Sequence, residues 1–273
     1  MITKAAGILI KLVPESIGYT LTAALAARTS RPPVTPAERD ALATASKLHY
    51  GAGNAHVAWE WGTGPLVILV HGWGGRAAQM APLGVHIARL GFRAVAIDVT
   101  GHGDSPGHNT RWEYFLNDIA AIARALNEDV HACVAHSAGA LTAMAARSLK
   151  GFRATRYACI CAPSHPYPPI DVIQKKLNPG KGIVERYKNH IAQQFDATWE
   201  QLQTGAPFAG VGPDLLLVYD TTDRFVNHSE GDKIHKMCPG SALVKTNGYG
   251  HTRILVAPEV AKEIGAFLAK AVL

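Results

Sequence analysis

Residues 130–149, which read VHACVAHSAGALTAMAARSL, decide how the rest of the chain is interpreted. An apolar run over the first six residues predicts a buried strand, and the small, alanine-rich pattern from Ala138 onward predicts a helix. Ser137 lies at the joint between them, with small residues two positions to either side, Ala135 and Gly139. Small neighbours are expected there because a strand that turns directly into a helix brings two backbone segments close together.

Ser137 is therefore a candidate nucleophile. A serine at such a turn is held in a strained backbone conformation, with its hydroxyl above the sheet edge and close to the helix N-terminus. The pattern of this nucleophile elbow is G-x-S-x-G, and Ala135 takes the place of the first glycine. The pentapeptide alone also fits an ordinary serine that caps a helix, and the strand-turn-helix context favours the nucleophile.

The composition is that of a globular protein with a substantial core. The 273 residues are 48% hydrophobic and 18% charged, enough for one large α/β domain or two small ones. The net charge is +6, but no basic run is longer than Lys175–Lys176, so we expect no nucleic-acid binding. The four cysteines lack a metal or redox spacing and predict buried thiols in the cytoplasm: Cys133, Cys159, Cys161 and Cys238. The histidines form no H-E-x-x-H or H-x-H pair, and neither a metal nor a cofactor is expected.

Residues 1–46 predict an N-terminal helical arm and linker. Met1 to Arg28 gives two amphipathic helical pieces, and Ser30 to Pro36 is a proline-rich linker. The longest apolar stretch is too short for a membrane span or a signal peptide. We expect the helical pieces to pack on the domain or to form a flap beside the substrate; attachment to a membrane surface is the alternative.

Alternating strand-like and helix-like runs over residues 47–162 and 213–273 predict one α/β core. Runs of this order imply right-handed crossovers and a mainly parallel, doubly wound sheet, with ligands at the carboxyl ends of its strands. Residues 163–212 interrupt the alternation and predict a helical cap insertion over that edge. Its aromatic residues either line a substrate pocket or pack the cap onto the body: Tyr167, Phe195, Trp199 and Phe208.

Three loops at this edge carry the partners that a serine nucleophile needs. Activation of a hydroxyl requires an imidazole base and a carboxylate that fixes its tautomer. Asp223 and His251 follow later strands in the order Ser, Asp, His, although Asp220 is a rival for the acid position. The glycine-rich loop 71–75 leaves backbone N–H groups free for an oxyanion and lacks the Lys-Ser/Thr of a phosphate loop.

Together these segments resemble the α/β-hydrolase superfamily, and within it the bacterial serine esterases and related hydrolases that carry a short cap. The matching motifs are H-G-W-G-G at 71–75, D-x-x-G-H-G-D-S at 98–105, A-H-S-A-G at 135–139, D-x-x-D-x-x-V at 220–226 and G-H at 250–251. The resemblance covers about residues 56–270 apart from the cap. It implies Ser137 as nucleophile, His251 as base, Asp223 as its orienter, and an oxyanion hole from the N–H groups of Trp73 and Ala138.

The resemblance implies a serine hydrolase that cleaves carboxylic esters of short to medium acyl chain through an acyl-enzyme. A carbon–carbon bond hydrolase, thioesterase, amidase or acyltransferase would use the same triad, and a non-catalytic ligand-binding protein of this fold is the alternative from another class. His136 is a candidate substrate contact, with a packed or solvent-facing histidine as the other interpretation. The expected partner is a small-molecule ester, and the oligomeric state stays open.

Overall fold

A single eight-stranded sheet organises the protein. The computed structural model describes the backbone of residues 4–270 and the side chains of residues 6–270. The spatial order of the strands is β1-β2-β4-β3-β5-β6-β7-β8. Their bounds are β1 Ser46–Tyr50, β2 His56–Trp61, β3 Leu66–Val70, β4 Arg93–Ile97, β5 Val130–His136, β6 Arg156–Ile160, β7 Leu215–Asp220 and β8 Ala242–Thr246. β1 pairs antiparallel with β2 and β2 with β4, whereas all other neighbours are parallel.

Helices cover both faces of this sheet. They are α1 Lys4–Leu12, α2 Glu15–Ala27, α3 Pro36–Ala43, α4 Ala77–Arg89, α5 Trp112–Leu126, α6 Ala138–Leu149, α7 Pro168–Lys176, α8 Lys181–Gln194, α9 Trp199–Gln203, α10 Ser229–Met237, α11 Gly250–Arg253 and α12 Pro258–Leu268. No helix within residues 4–270 is both long and apolar enough to cross a bilayer.

The core lies in two layers because successive strand residues point to opposite faces. Ile68 and Val70 of β3 belong to one buried cluster with residues of α5, α6, α7, α8 and α9 on one face. Val67 and Leu69 pack with α4 and α12 on the other. Burial on both sides explains why all five residues of β3 are apolar, as expected for a central parallel strand. The predicted doubly wound, mainly parallel sheet is confirmed.

The chain between β6 and β7 holds α7, α8 and α9, and we propose that residues 163–212 form a cap. The first two helices of the chain pack onto it. Gly7 of α1 lies directly against the backbone carbonyl of Leu177, and Gly18 of α2 lies against Ile183 of α8, where added Cβ atoms would collide. The helix pair α1–α2 is thereby packed against this segment, and the end of α2 is also bonded to the loop before α5, through the Thr110 N–H and the Ala27 carbonyl at 2.7 Å.

Candidate active site

Ser137 lies at the sharp turn between β5 and α6. Its φ of 52° and ψ of −119° are unusual for a residue with a side chain. The turn is held by a hydrogen bond of 2.8 Å from the Ser137 N–H to the Ile160 carbonyl on the neighbouring strand β6. Gly139 is required beside it, because a Cβ there would overlap with the carbonyl oxygen of His71. The backbone strain therefore has a structural support and projects the hydroxyl above the sheet.

The structure brings Ser137, His251 and Asp223 together. Nε2 of His251 lies 3.0 Å from Oγ of Ser137, and Nδ1 lies 2.7 Å from Oδ2 of Asp223. Because a carboxylate only accepts hydrogen bonds, Nδ1 carries the proton and Nε2 is left to accept from the serine hydroxyl. This is the tautomer that an imidazole needs in order to act as the base for a serine.

Asp223 is held as a charged acceptor. Its Oδ1 accepts hydrogen bonds from the N–H groups of Phe225 at 2.7 Å and Val226 at 3.0 Å, and the side chain is fully buried in the loop after β7. Burial alone would raise the pKa of Asp223, but the hydrogen bond and charge of His251 and the two N–H donors lower it overall. The carboxylate that faces His251 is therefore ionised at neutral pH.

Asp220, the rival for the acid position, has a different set of partners. Its carboxylate accepts from the N–H groups of Thr222 at 2.9 Å, Tyr249 at 3.0 Å and Gly250 at 3.0 Å, and from the Thr246 hydroxyl at 2.8 Å. Burial would raise its pKa, but hydrogen bonds from the Thr222 hydroxyl and from the N–H groups of Gly250, Thr222 and Tyr249 lower it well below the usual value. Asp220 thus fastens the loop that carries His251, and the contact to the imidazole comes from Asp223.

The N–H groups of Trp73 and Ala138 are available beside Ser137. Within residues 4–270 neither has a hydrogen-bond acceptor, whereas neighbouring N–H groups of the same loop are used. Gly75 donates to the Gly72 carbonyl at 3.0 Å, and Gly74 donates to Nε2 of His102 at 2.9 Å. Two free N–H groups near a nucleophile are the arrangement that stabilises an oxyanion.

Neutral His71 and His102 hold the glycine-rich loop 71–75 in place. Nδ1 of His71 donates to the Gly72 carbonyl at 2.8 Å, and its Nε2 accepts from the Val99 N–H at 3.2 Å. Burial lowers the pKa of His71 to about 4 and that of His102 to about 3. Each ring therefore keeps the lone pair with which it accepts a backbone hydrogen bond.

His136 touches the candidate base and not only the cavity. Its Nε2 donates to the backbone carbonyl oxygen of His251 at 2.9 Å, and the two rings lie 4.7 Å apart. Burial lowers the pKa of His136 to about 3, so the ring is neutral. His136 is also among the residues that line the cavity in front of Ser137, and it stays a predicted substrate contact.

That cavity has a volume of about 470 Å³ and largely apolar walls. One wall is formed by Pro168, Pro169, Val172 and Ile173 of α7, and another by Leu25 and Ala26 of α2. The N-terminal helices were expected to pack on the domain or to form a flap beside the substrate, and α2 does lie beside this cavity. The periodicity of a helix does not indicate which of its residues will face a distant loop.

Tyr167, Phe195 and Trp199 are not among the residues that line this cavity, so the prediction that they contact substrate gives way to the alternative, a packing role. Phe195 is buried against Trp112, with ring centroids 5.6 Å apart, and Trp199 is buried with its ring edge-on to His165 at 5.6 Å. Tyr167 precedes α7 and also contacts the His165 ring. These large aromatic side chains stabilise the cap, and shorter residues of α7 face the cavity instead.

Cys161 is a further residue of the site that the sequence pattern did not single out. It follows β6 with a φ of 49° and is fully buried. Burial, and then the negative charge of Asp223, raise the pKa of Cys161 well above its usual value. The thiol beside the Asp223 carboxylate is therefore neutral.

Donor atoms of His136, Cys161 and His251 lie within 4.8 Å of one another. The nitrogens of His251 already contact Ser137 and Asp223, and Nε2 of His136 donates to a carbonyl. These hydrogen bonds suit proton transfer at Ser137 better than they suit a metal ligand set.

A family model described as alpha/beta hydrolase fold matches residues 65–189, a range that includes β3, the glycine-rich loop and Ser137. The chain has the α/β-hydrolase fold, with an eight-stranded, mainly parallel sheet.

Two curated proteins illustrate the similarity. The chain is 29% identical over 217 residues to 2-(acetamidomethylene)succinate hydrolase of Mesorhizobium japonicum, covering 69% of this chain and 77% of that one. It is 24% identical over 214 residues to a serine hydrolase-like protein of Dictyostelium discoideum, covering 72% of this chain. The match spans only 57% of the Dictyostelium protein's length.

Solved structures show the same fold. An epoxide hydrolase from Vigna radiata superposes with a TM-score of 0.63 at 15% identity, covering 84% of this chain and all of that one. An esterase from Thermogutta terrifontis superposes with a TM-score of 0.58 at 17% identity, covering 82% of this chain and 97% of that one. A bacterial membrane phospholipase A superposes with a TM-score of 0.61 at 20% identity, and the match covers 96% of each chain.

Proposed function

We propose that this hydrolase-fold protein is a serine hydrolase that cleaves carboxylic esters of short to medium acyl chain. One observation carries the proposal: Asp223, His251 and Ser137 form an unbroken series of hydrogen bonds, 2.7 Å and 3.0 Å long, beside two free N–H groups. Nucleophile, base, orienting carboxylate and oxyanion donors are the parts that acyl transfer from an ester requires.

In the proposed reaction, Oγ of Ser137 attacks the ester carbonyl carbon while its proton passes to Nε2 of His251. The carbonyl oxygen becomes an oxyanion and accepts hydrogen bonds from the N–H groups of Trp73 and Ala138. The imidazolium, stabilised by the ionised Asp223, then gives its proton to the leaving alcohol as the tetrahedral intermediate collapses.

The second half of the reaction uses the same groups. His251 takes a proton from water, which attacks the acyl-enzyme formed on Ser137. Collapse of the second tetrahedral intermediate returns the proton to Oγ of Ser137 and releases the carboxylic acid.

The cavity supports a small, largely apolar acyl group. A volume of about 470 Å³ lies in the usual range for small-molecule sites, and the walls from α2 and α7 consist mainly of aliphatic and proline side chains. The four buried, unpaired cysteines support a reducing, cytoplasmic location, which we also propose. The hydrolase names of the similar proteins support the reaction class more than the type of bond cleaved.

Labelling with a fluorophosphonate probe tests the proposed nucleophile. The wild-type protein is expected to react covalently, and Ser137→Ala is expected to lose labelling and nearly all hydrolysis of p-nitrophenyl acetate. Ser148→Ala, at the other end of α6 and outside the cavity, is the matched control and should label normally. Retention of most activity by Ser137→Ala would exclude the mechanism.

A substrate panel tests the type of bond. Parallel series of p-nitrophenyl esters, thioesters, anilides and vinylogous diketones distinguish an esterase from the other hydrolases that use this triad, and added alcohol acceptors report acyl transfer. We expect the highest kcat/KM for esters of short to medium chain. Tight ligand binding without labelling of Ser137 would instead indicate a non-catalytic binding protein.

A further inference from the structure

Exposed large apolar side chains are concentrated on the helix pair α1–α2. We call five of them the arm face: Ile8, Leu9, Leu12, Ile17 and Leu21. Leu12 is the most exposed, with 77% of its surface accessible. Elsewhere in residues 6–270 only Leu90, Phe225 and Val256 are large, apolar and comparably exposed. A contiguous exposed apolar surface of this kind marks an interaction site more often than a scattering of single residues does.

The opposite side of the helix pair is tightly packed. Ile10 of α1 is buried in the main core, and Thr22 of α2 is fully buried. Gly7 and Gly18 allow close approach to the cap, at Leu177 and Ile183 respectively. The arm face is therefore the outward side of a fixed element.

The arm face is continuous with the cavity in front of Ser137. Ile17, Leu21 and Leu25 follow one another at intervals of four residues and so lie along one side of α2. Leu25 lines the cavity, and Phe225, also exposed, lines it as well. An apolar path thus runs from the outer surface of α2 to the candidate nucleophile.

Positive charge surrounds the arm face. Lys11 of α1, Lys175 and Lys176 at the end of α7, and Lys181 at the start of α8 are exposed. Within the described side chains none of these four ammonium groups has an ion-pair partner. The end of α7 adjoins α1 because Leu177 contacts Gly7.

Acidic residues on α1, α2, α7 and α8 are fewer than the basic residues there. Glu15 and Asp171 are exposed there, and Glu185 is paired with Lys188. The region has a net positive charge, so a second copy of the chain would bring like charges together. An apolar face bordered by lysines is the pattern of helices that lie on anionic lipid surfaces.

We propose that the arm face docks this protein onto an anionic lipid surface. The apolar side chains enter the boundary between headgroups and acyl chains, the lysines contact the anionic headgroups, and the entrance of the cavity opens at the lipid. The docking does not depend on the proposed ester hydrolysis, although it would deliver lipid-borne substrates to Ser137.

Vesicle co-sedimentation tests the apolar contribution. The full-length protein is mixed with vesicles of phosphatidylcholine alone and of phosphatidylcholine with phosphatidylglycerol. We expect the wild type to bind the mixed vesicles about tenfold or more tightly than the neutral ones. Leu12→Asp/Ile17→Asp should lose most of this binding, whereas Leu90→Asp, at the end of α4 and about as exposed as Ile17, should retain it.

A charge reversal tests the electrostatic contribution. Lys175→Glu/Lys176→Glu is expected to abolish the preference for phosphatidylglycerol, and Lys236→Glu/Lys262→Glu, on α10 and α12, is the control with the same change in net charge. Raising the salt concentration should weaken binding of the wild type and not of Lys175→Glu/Lys176→Glu.

The proposal is overturned if the wild type binds neither vesicle, or if Leu12→Asp/Ile17→Asp binds like the wild type. Light scattering after gel filtration identifies the competing occupant: a wild-type dimer that becomes monomeric in Leu12→Asp/Ile17→Asp would make the arm face an interface between copies. Thermal unfolding and fluorophosphonate labelling of each variant separate a loss of docking from misfolding and from failure of the proposed hydrolase activity.

Discussion

His136 donates a hydrogen bond through Nε2 to the backbone carbonyl oxygen of His251, at 2.9 Å. The residue that precedes the candidate nucleophile thus restrains the loop that carries the candidate base. This bond couples the end of β5 to α11, two segments far apart in the sequence. It makes His136 a positioning residue as well as part of the cavity wall.

Replacing His136 should therefore misplace the base. We expect His136→Ala to lower kcat for p-nitrophenyl acetate by about tenfold, because small displacements of catalytic groups are costly. His136→Gln retains a donor of similar reach and should recover part of the loss. Steady-state kinetics of both variants check this, and an effect confined to KM would indicate that His136 acts only on the substrate.

The two aspartates should respond differently to the same substitution. Asp223→Asn removes the charge that faces His251 and is expected to lower kcat by about 10³–10⁴, as in comparable triads. Asp220→Asn weakens the loop bonds to Thr222, Tyr249 and Gly250 and should mainly lower the free energy of unfolding, by about 1–3 kcal/mol. Steady-state kinetics and urea unfolding of both variants distinguish the two roles. A larger loss of kcat in Asp220→Asn than in Asp223→Asn would assign the acid role to Asp220.

Gly139→Ala should damage the proposed oxyanion site. The added Cβ would overlap with the carbonyl oxygen of His71 and push the glycine-rich loop away from Ser137. We expect kcat to fall by about 10²-fold, the size of effect seen when one oxyanion donor is lost. Ala140→Gly, the neighbouring change on α6, is the control for helix stability. Full activity of a folded Gly139→Ala protein would contradict the predicted closeness.

Acid should destabilise the fold through its buried neutral histidines. The pKa of His71 is lowered to about 4 and that of His102 to about 3, so between roughly pH 6.5 and 4 the unfolded state binds more protons than the folded one. The contribution of these histidines to the free energy of unfolding is complete above pH 6.5. It is lost as the pH falls towards 4, by up to about 1.4 kcal/mol per pH unit for each histidine.

Urea unfolding followed by tryptophan fluorescence from pH 7 to 4.5 measures this dependence. His102→Gln has one titrating group fewer and should show a shallower slope than the wild type. A free energy of unfolding that does not change over this interval would be inconsistent with the burial of these rings.

Cys161 offers a test of the support beneath Asp223. Cys161→Ala removes the polar thiol beside Asp223, and we expect kcat to fall by about three- to tenfold with little change in KM, since the surroundings of the carboxylate that faces His251 become less polar. Cys161→Ser restores a polar group of similar size and should restore most of kcat. Equal kinetics for the alanine and serine variants would mean that the thiol only fills space.

Much of the fold follows from local patterns. The strand predicted over the first six residues of 130–149 is one residue shorter than β5, and the helix predicted from Ala138 onward begins where α6 begins. α3 was not predicted because Pro36–Ala43 has little apolar periodicity. A capping box between Thr35 and Glu38 and the Trp61 side chain bonded to the Ala41 carbonyl stabilise it instead.

For the candidate site, too, one part follows from local sequence and another part does not. Ser137, Asp223 and His251 follow strand ends, and parallel strands bring their carboxyl ends to one edge, so local sequence is enough to group them. The cavity walls depend on how the cap folds back. Phe195 is buried against Trp112 of α5, a contact that no local pattern contains, and this leaves α7 and α2 to face Ser137.

The candidate catalytic groups and the cavity walls come from different parts of the chain. The candidate catalytic groups lie on loops at the edge of the sheet, whereas two walls of the cavity come from the helices α2 and α7, outside the sheet. Substitutions in those two helices are therefore expected to change which molecules the cavity admits more than they change the hydrogen bonds among Ser137, His251 and Asp223.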